Sequence, residues 1–368
     1  MSQEFRPDWF SPPGATLAML MTHRGLTVGE LGSRMQKDAS FVLRLLSGTE
    51  RIEPSIADFL AQNVGATSSF WLKRQEMFDA ALGRVAKAIP ANDAKDWLRT
   101  LPLREMHHSG WLGLSSQESR LRAALSYFGV TSPDEWRERY AEHATKYSYR
   151  TSRTFKSKLG ALSAWLRQAE LQAINIKCAK WNRDKFVRGL DEIRKLTRLK
   201  SPLMFMKPLR DICAAAGVAV VFVKAPSGCR ASGATRFVSK DKALIILSFR
   251  YLSDDHFWFS FFHEAGHLVL HGSDSIFVDG EAAETTEKEK EANSFAARIL
   301  IPLSEFDRLL ALRANFKQIV RFAVSIGVSP GIVVGQMQHH GLLGQHQFNR
   351  LKRRYSWEQI ERALQLTL

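Results

Sequence analysis

The sequence predicts a mostly α-helical protein: an all-α N-terminal part, a helical middle, and a C-terminal α+β part with a small β-sheet. Three observations carry this prediction. Apolar residues recur at helical spacing, between recognisable caps, up to about residue 200. Only Val218-Ala219-Val220-Val221-Phe222-Val223 and Ala243-Leu244-Ile245-Ile246-Leu247-Ser248 read as strands. Helical patterns then resume and run to the end of the chain, an α+β order. With 368 residues and 45% hydrophobic content the chain can build two or three domains. We place them at 1–82, 83–200 and 201–368.

The first well-marked helix starts at Thr27, which has Glu30 at capping-box spacing and Val28, Leu31 and Met35 on one face. After the polar turn Gln36-Lys37-Asp38, the run Ser40 to Ser47 with Gly48 behind it has the length and stop of a recognition helix. In that role Lys37, Ser40, Arg44 and Thr49 are the polar groups placed to meet base edges or phosphates. Phe41 either meets a thymine methyl or packs. Residues 11–80 resemble the Cro/repressor-type helix-turn-helix domain, in particular the HigA-like antitoxins of toxin-antitoxin systems. The matching marks are Pro13-Gly14, the two helices, Ser47-Gly48, and Phe70-Trp71-Leu72 with Arg74. The resemblance implies DNA as a partner and a homodimer through this domain.

Charge complicates that expectation. The chain carries 52 Lys and Arg against 37 Asp and Glu, a net +15. Residues 1–82 hold 8 basic and 9 acidic side chains, and residues 83–200 hold 24 and 12. A DNA-binding domain is usually basic, so the excess sits in the wrong segment. Lys146, Arg150, Arg153, Lys156, Lys158 and Arg167 form one cluster, and Lys177 to Lys200 another, interleaved with Tyr147, Tyr149, Trp165 and Trp181. Two readings stay open: a surface that follows a phosphate backbone, or a solvated helical face whose aromatics point inward.

Helix starts are marked at Ala91-Asn92-Asp93 and at Ser132-Pro133. The stretch 155–199 is helical by its Leu and Trp spacing, with a break near Lys177. A helix from Leu203 to Ala216, closed by Gly217, leads into the strands.

His263-Glu264-Ala265-Gly266-His267 follows the second strand. Residues i and i+4 share a helix face, so both imidazoles can reach one zinc ion while Glu264 stands beside a fourth position open to water. Glu264 is then the general base of a hydrolase. Asp254 or Asp255 caps this helix, and Gly272 stops it. Glu291 is the expected third ligand, because there a charged run gives way to an apolar face at Ala292, Phe295, Ala296 and Ile299. Its helix has Thr286 and Glu289 at capping-box spacing. Glu287 and, more weakly, Glu284 are the alternatives. His271, on the face of His267, either supports the ligand histidines or merely ends the helix.

The segment resembles the ImmA/IrrE family of zinc metallopeptidases through His263 to His267, Glu291-Ala292-Asn293-Ser294-Phe295-Ala296 and Leu300-Ile301-Pro302, with the strands and Ser232-Gly233 ahead of them. The resemblance implies a zincin-like domain, a Zn2+ cofactor, the Glu before Ala-Asn as third ligand, and cleavage of a regulatory protein: a repressor, a toxin or the chain itself. Many relatives carry Asn where this chain has Ser248, so that role is not carried over. The combined expectation is a DNA-binding regulator coupled to a zinc endopeptidase, in stress responses or on mobile elements. The alternative is an antitoxin or autorepressor whose zinc domain senses a partner without cutting it.

Cys178, Cys213 and Cys229 lack disulfide or metal spacing, which fits a reducing cytoplasm. No apolar run approaches ~18 residues, so no membrane partner is expected. The first residues lack the apolar core of a signal peptide.

Overall fold

The computed structural model describes residues 10–113, 117–148, 159–272, 277–279 and 287–365. The chain divides into two units, one running to Asn175 with Pro226–Cys229, the other taking Ile176–Ala225 and the chain from Arg230 on.

The first unit is all helix: α1 Pro13–Arg24, α2 Val28–Met35, α3 Ala39–Ser47, α4 Pro54–Asn63, α5 Ser68–Ala88, α6 Ala91–Thr100, α7 Leu103–His108, α8 Gln117–Phe128, α9 Pro133–Ser148 and α10 Leu159–Ala173. The Thr27 capping box forms as expected, with Glu30 N–H donating to the Thr27 hydroxyl and Thr27 N–H to the Glu30 carboxylate. Helix α1 seats directly on the end of α3, where a Cβ on Gly14 would lie 2.2 Å from the Leu45 carbonyl oxygen. Only glycine permits that approach. Trp97 of α6, Phe128 of α8, and Trp136 and Tyr140 of α9 pack ring against ring.

The expected break at 82/83 falls inside α5, and α8 and α10 pack on the N-terminal helices. Tyr127 on α8 donates to the Ala164 carbonyl of α10 (3.0 Å), and Ser126 donates to the Ser47 carbonyl of α3 (2.9 Å). The segment 83–200 is therefore not one separate domain: its helices as far as α10 lie in the first unit, and the rest belongs to the second. Charge composition could not locate this division, because buried contacts decide it.

The second unit contains α11 Arg183–Leu196, α12 Pro202–Ala215, β1 Val218–Phe222, β2 Gly233–Ser239, β3 Lys242–Leu247, α13 Asp254–His271, β4 Phe277–Asp279, α14 Glu287–Leu300, α15 Phe306–Leu310, α16 Phe316–Ile326, α17 Pro330–His339 and α18 Trp357–Gln365. The sheet order is β1-β3-β2-β4, with β1 parallel to β3 and the other pairs antiparallel. Every residue of β1 is buried, as a strand covered on both faces requires. Alternate residues Val218, Val220, Phe222, Ala243, Ile245 and Leu247 join the core that includes Phe205 of α12 and Phe257, Trp258 and Phe261 of α13.

Helix α11 turns most of the second basic cluster to solvent and its apolar residues inward. Phe186, Leu190 and Ile193 are buried, while Arg183, Lys185, Arg188 and Lys195 are exposed. Trp181 packs on Phe186 and Phe237, and Trp165 is fully buried, so neither offers a stacking platform. Arg194 points inward instead, donating to the carbonyls of Ile299 and Ile326 near the ends of α14 and α16. The side chains of Lys146, Tyr147, Tyr149, Arg150, Arg153, Lys156 and Lys158 lie outside those described. No single helix among the described residues is long and apolar enough to cross a membrane.

Candidate metal centre

Helix α13 is fixed at both the sheet and its own N-terminus. Ser253 is its N-cap residue, and Asp254 and Asp255 lie inside the first turn rather than capping it. Asp254 accepts from the Arg353 and Asp255 amides (3.0 Å each) and from the Ser329 hydroxyl (2.6 Å). Asp255 pairs with Lys352 at 2.7 Å, both nearly buried. These contacts explain why the acidic pair sits where it does: anions favour a helix N-terminus, and here they also tie α13 to Ser329 ahead of α17 and to residues 352–353.

Burial pushes the Asp254 carboxyl up to about 6, with Asp255 adding to it and the Ser329 and Arg353 contacts opposing. The folded chain thus binds a proton here that the unfolded chain releases near pH 4. This one group favours the folded state less and less as pH rises from about 4 through 6. Asp254→Asn is expected to remove that slope. Relative to wild type, the variant should gain up to roughly 3 kcal/mol between pH 4 and 7. Urea midpoints of both proteins across that range measure it, and a pH-independent difference would count against the buried acid.

Glu264, His263 and His267 lie near the middle of α13, all buried. Glu264 faces β2 so closely that a Cβ on Gly233 would fall 2.6 Å from its Oε1, which gives the small-residue turn before β2 its reason. Ser248 holds the same turn, donating to the carbonyls of Ala231 (2.7 Å) and Ser232 (3.2 Å). On the other side, Gly266 lets α14 come close. A Cβ there would lie 3.0 Å from Phe295 Cδ1 and 3.2 Å from Ala292 Cα.

That approach delivers a carboxylate to the two histidines, and it is Glu289. Its Oε2 lies 3.1 Å from His263 Nε2 and 3.4 Å from His267 Nε2, and the two Nε2 atoms are 3.0 Å apart. Among the described residues these three form the group suited to a metal ion. Burial by itself would raise the Glu289 carboxyl, but hydrogen bonds and charge from His263 and His267 outweigh it and hold it at about 2. The His267 ring is held below its ordinary value by burial above all. A metal ligand set needs a carboxylate and neutral imidazoles.

The donor set fits zinc. Bonds of about 2.0–2.1 Å at tetrahedral angles separate donor atoms by about 3.3 Å, close to the triangle seen here. His263 Nδ1 lies 2.9 Å from Asn293 Oδ1, which orients the His263 ring.

Glu291, expected as the third ligand, is not in this cluster. Its carboxylate is 60% exposed and lies 2.9 Å from His271 Nε2. Helical geometry gives the reason: at about 100° per residue, Glu289 is near the bearing of Asn293 and Ala296, which face α13, and Glu291 is far round from it. That periodicity was the available signal. Glu287 is exposed and pairs with Lys290 at 2.7 Å. Glu284 and Thr286 lie outside the described residues.

Of the expected DNA-reading groups, Lys37 is exposed and the other three are partly buried. Lys37 is exposed beside the Phe41 ring, at 5.5 Å from its centroid. Arg44 pairs with Glu50 (3.0 Å) and donates to the Gly110 carbonyl (3.0 Å), while Ser40 lies against Gly110. Thr49 bonds to Ser47 at the end of α3. No residue of α3 is freely exposed, because α1, α2, α8 and α10 pack around it. Arg44→Ala is expected to cost about 1–3 kcal/mol of stability through its two lost charged hydrogen bonds, and to leave any retention of DNA unchanged. Thermal melts and gel shifts of the same samples check both halves.

Residues 213–335 match the model of a family described as Peptidase_M78, IrrE N-terminal-like domain. The match runs from the end of α12 into α17 and contains every residue of the cluster. No curated protein and no solved structure gives a significant match to the chain.

Proposed function

We propose that the second unit is a zinc-dependent peptidase of the ImmA/IrrE kind that cuts a regulatory protein. The observation that carries this reading is the buried triangle of His263 Nε2, His267 Nε2 and Glu289 Oε2, with Glu264 next to it in the chain and packed against Gly233. The family match at 213–335 supports it.

His263, His267 and Glu289 would hold the ion. Zinc, when bound, supplies Lewis acidity that makes water a usable nucleophile near neutral pH and polarises a peptide carbonyl. Glu264 takes the proton of the attacking water on its carboxylate and returns it to the leaving amine. Its full burial keeps bulk water from competing for that proton. Asn293 keeps the His263 ring turned so that Nε2 faces the centre. Gly233 keeps the space beside the base clear.

The test compares wild type with Glu264→Gln expressed in the source cell, with and without DNA damage or phage challenge. Protein fragments are read by mass spectrometry. Fragments present only with Glu264 identify the substrate and its cut. Identical fragment sets under every condition, from protein shown to be zinc-loaded, would remove the peptidase reading.

A further inference from the structure

The residue that sequence spacing nominated as a ligand has a different partner, and that partner touches a ligand. His271 lies one turn beyond His267 on α13. Its Nδ1 is 3.0 Å from His267 Nδ1, and its Nε2 is 2.9 Å from Glu291 Oε2. The His271 side chain is only 4% exposed, whereas Glu291 is 60% exposed. The three side chains form one line from the centre of the cluster to the surface.

We propose that His271 and Glu291 are positioning residues that set the tautomer and orientation of His267, so that its Nε2 lone pair faces the metal. The inference rests on the zinc reading given above. Its logic follows from donor and acceptor chemistry. An ionised carboxylate only accepts hydrogen bonds, so Glu291 requires the proton of neutral His271 to sit on Nε2. Nδ1 of His271 is then a bare acceptor, and the 3.0 Å contact requires a proton on Nδ1 of His267. A neutral His267 with its proton on Nδ1 has its lone pair on Nε2, the atom that faces His263 and Glu289.

The other histidine reaches the same state by a shorter route. Asn293 Oδ1 can only accept, which places a proton on His263 Nδ1 and the lone pair on Nε2. Without a fixed outer partner a histidine at position 271 is ambivalent, because either ring nitrogen can carry the proton. Glu291 removes that ambiguity. Since its carboxylate is largely in water, its contribution is directional more than electrostatic. A glutamine in its place can accept but can also donate, so it should fix the tautomer only in part.

The experiment measures zinc affinity of the full-length chain by competition with a chelator, together with 15N imidazole spectra of the zinc-loaded protein. His271→Ala is expected to weaken zinc by about 10–100-fold, in the range of lost outer partners of metal-bound histidines. Glu291→Ala should weaken it by about 3–10-fold, and Glu291→Gln, which can accept or donate, should restore only part of that. If Glu291 acts only through His271, the double variant His271→Ala/Glu291→Ala will be no weaker than His271→Ala alone. The spectra should show the His271 proton on Nε2 in wild type and a mixture of tautomers in Glu291→Ala, a change that a merely structural role would not produce.

Glu291 is at the surface, so its variants report even if His271→Ala fails to fold. Unchanged zinc affinity in both single variants overturns the proposal, as do additive losses in the double variant or a His271 proton on Nδ1 in wild type. Loss in Glu291→Ala as deep as in His263→Ala would make Glu291 a ligand and overturn it too. A wild type that binds no zinc removes the metal reading itself and this inference with it; a zinc-binding wild type with an indifferent His271→Ala removes the inference alone.

Discussion

Glu289→Ala is expected to strip zinc from the protein, with affinity lowered by more than roughly 100-fold, beyond what the loss of an outer partner costs. His263→Ala and His267→Ala should do the same. Each removes one of three donor atoms that lie within 3.4 Å of one another, and two remaining donors cannot enclose a tetrahedral ion. The control is Glu287→Ala, whose carboxylate is 82% exposed and pairs only with Lys290 among the contacts seen; its zinc content should equal that of wild type. Elemental analysis after gel filtration gives the stoichiometry. One zinc per chain in wild type, none in Glu289→Ala and one in Glu291→Ala under zinc excess is the expected pattern. Full occupancy in Glu289→Ala would refute the assignment of the third ligand.

The second large effect belongs to Glu264→Gln. This change keeps the shape of the side chain beside Gly233 and removes its capacity to take a proton. Zinc content and melting temperature should stay at wild-type values, while the rate of peptide hydrolysis falls by about 10²–10⁴-fold, the usual contribution of a general base. The readout is the rate of cleavage of the substrate identified in cells, measured with equal amounts of zinc-loaded wild type and variant. Loss of zinc in the variant would make Glu264 part of the metal's surroundings and not a base. Unchanged turnover would assign the proton transfer to another group.

The His263 to His267 spacing was legible because it depends only on helix geometry over four residues. The Thr27 box was legible for the same reason, and so were the strands at β1 and β3, whose runs of branched apolar residues admit little else. Errors gathered wherever a decision needed a partner distant in the chain. The position at which charge gives way to apolar residues points to Glu291, but the side of α14 that meets α13 depends on Gly266 and Ala292, 26 positions apart. Asp254 and Asp255 read as caps, yet their partners Ser329, Lys352 and Arg353 come from the far end of the chain.

The N-terminal helices show the same limit. The sequence from Thr27 to Gly48 determined two capped helices and the turn between them, and the structure has both. Whether α3 offers its polar side chains outward was decided by Gly110 and by α8 and α10, all of which come later in the chain. By itself, then, the sequence determined most of the helices, the strands β1 and β3, and the placing of His263 and His267 on one helix face with Glu264 beside them, because each follows from contacts within about one turn or from strand composition. The meeting of Glu289 with the two histidines, the anchoring of α13, the covering of α3 and the division into two units were decided only by tertiary structure. Each turns on which face of an element is buried, and that is settled by packing between residues far apart in the chain, where periodicity shows that a face exists but not what will meet it.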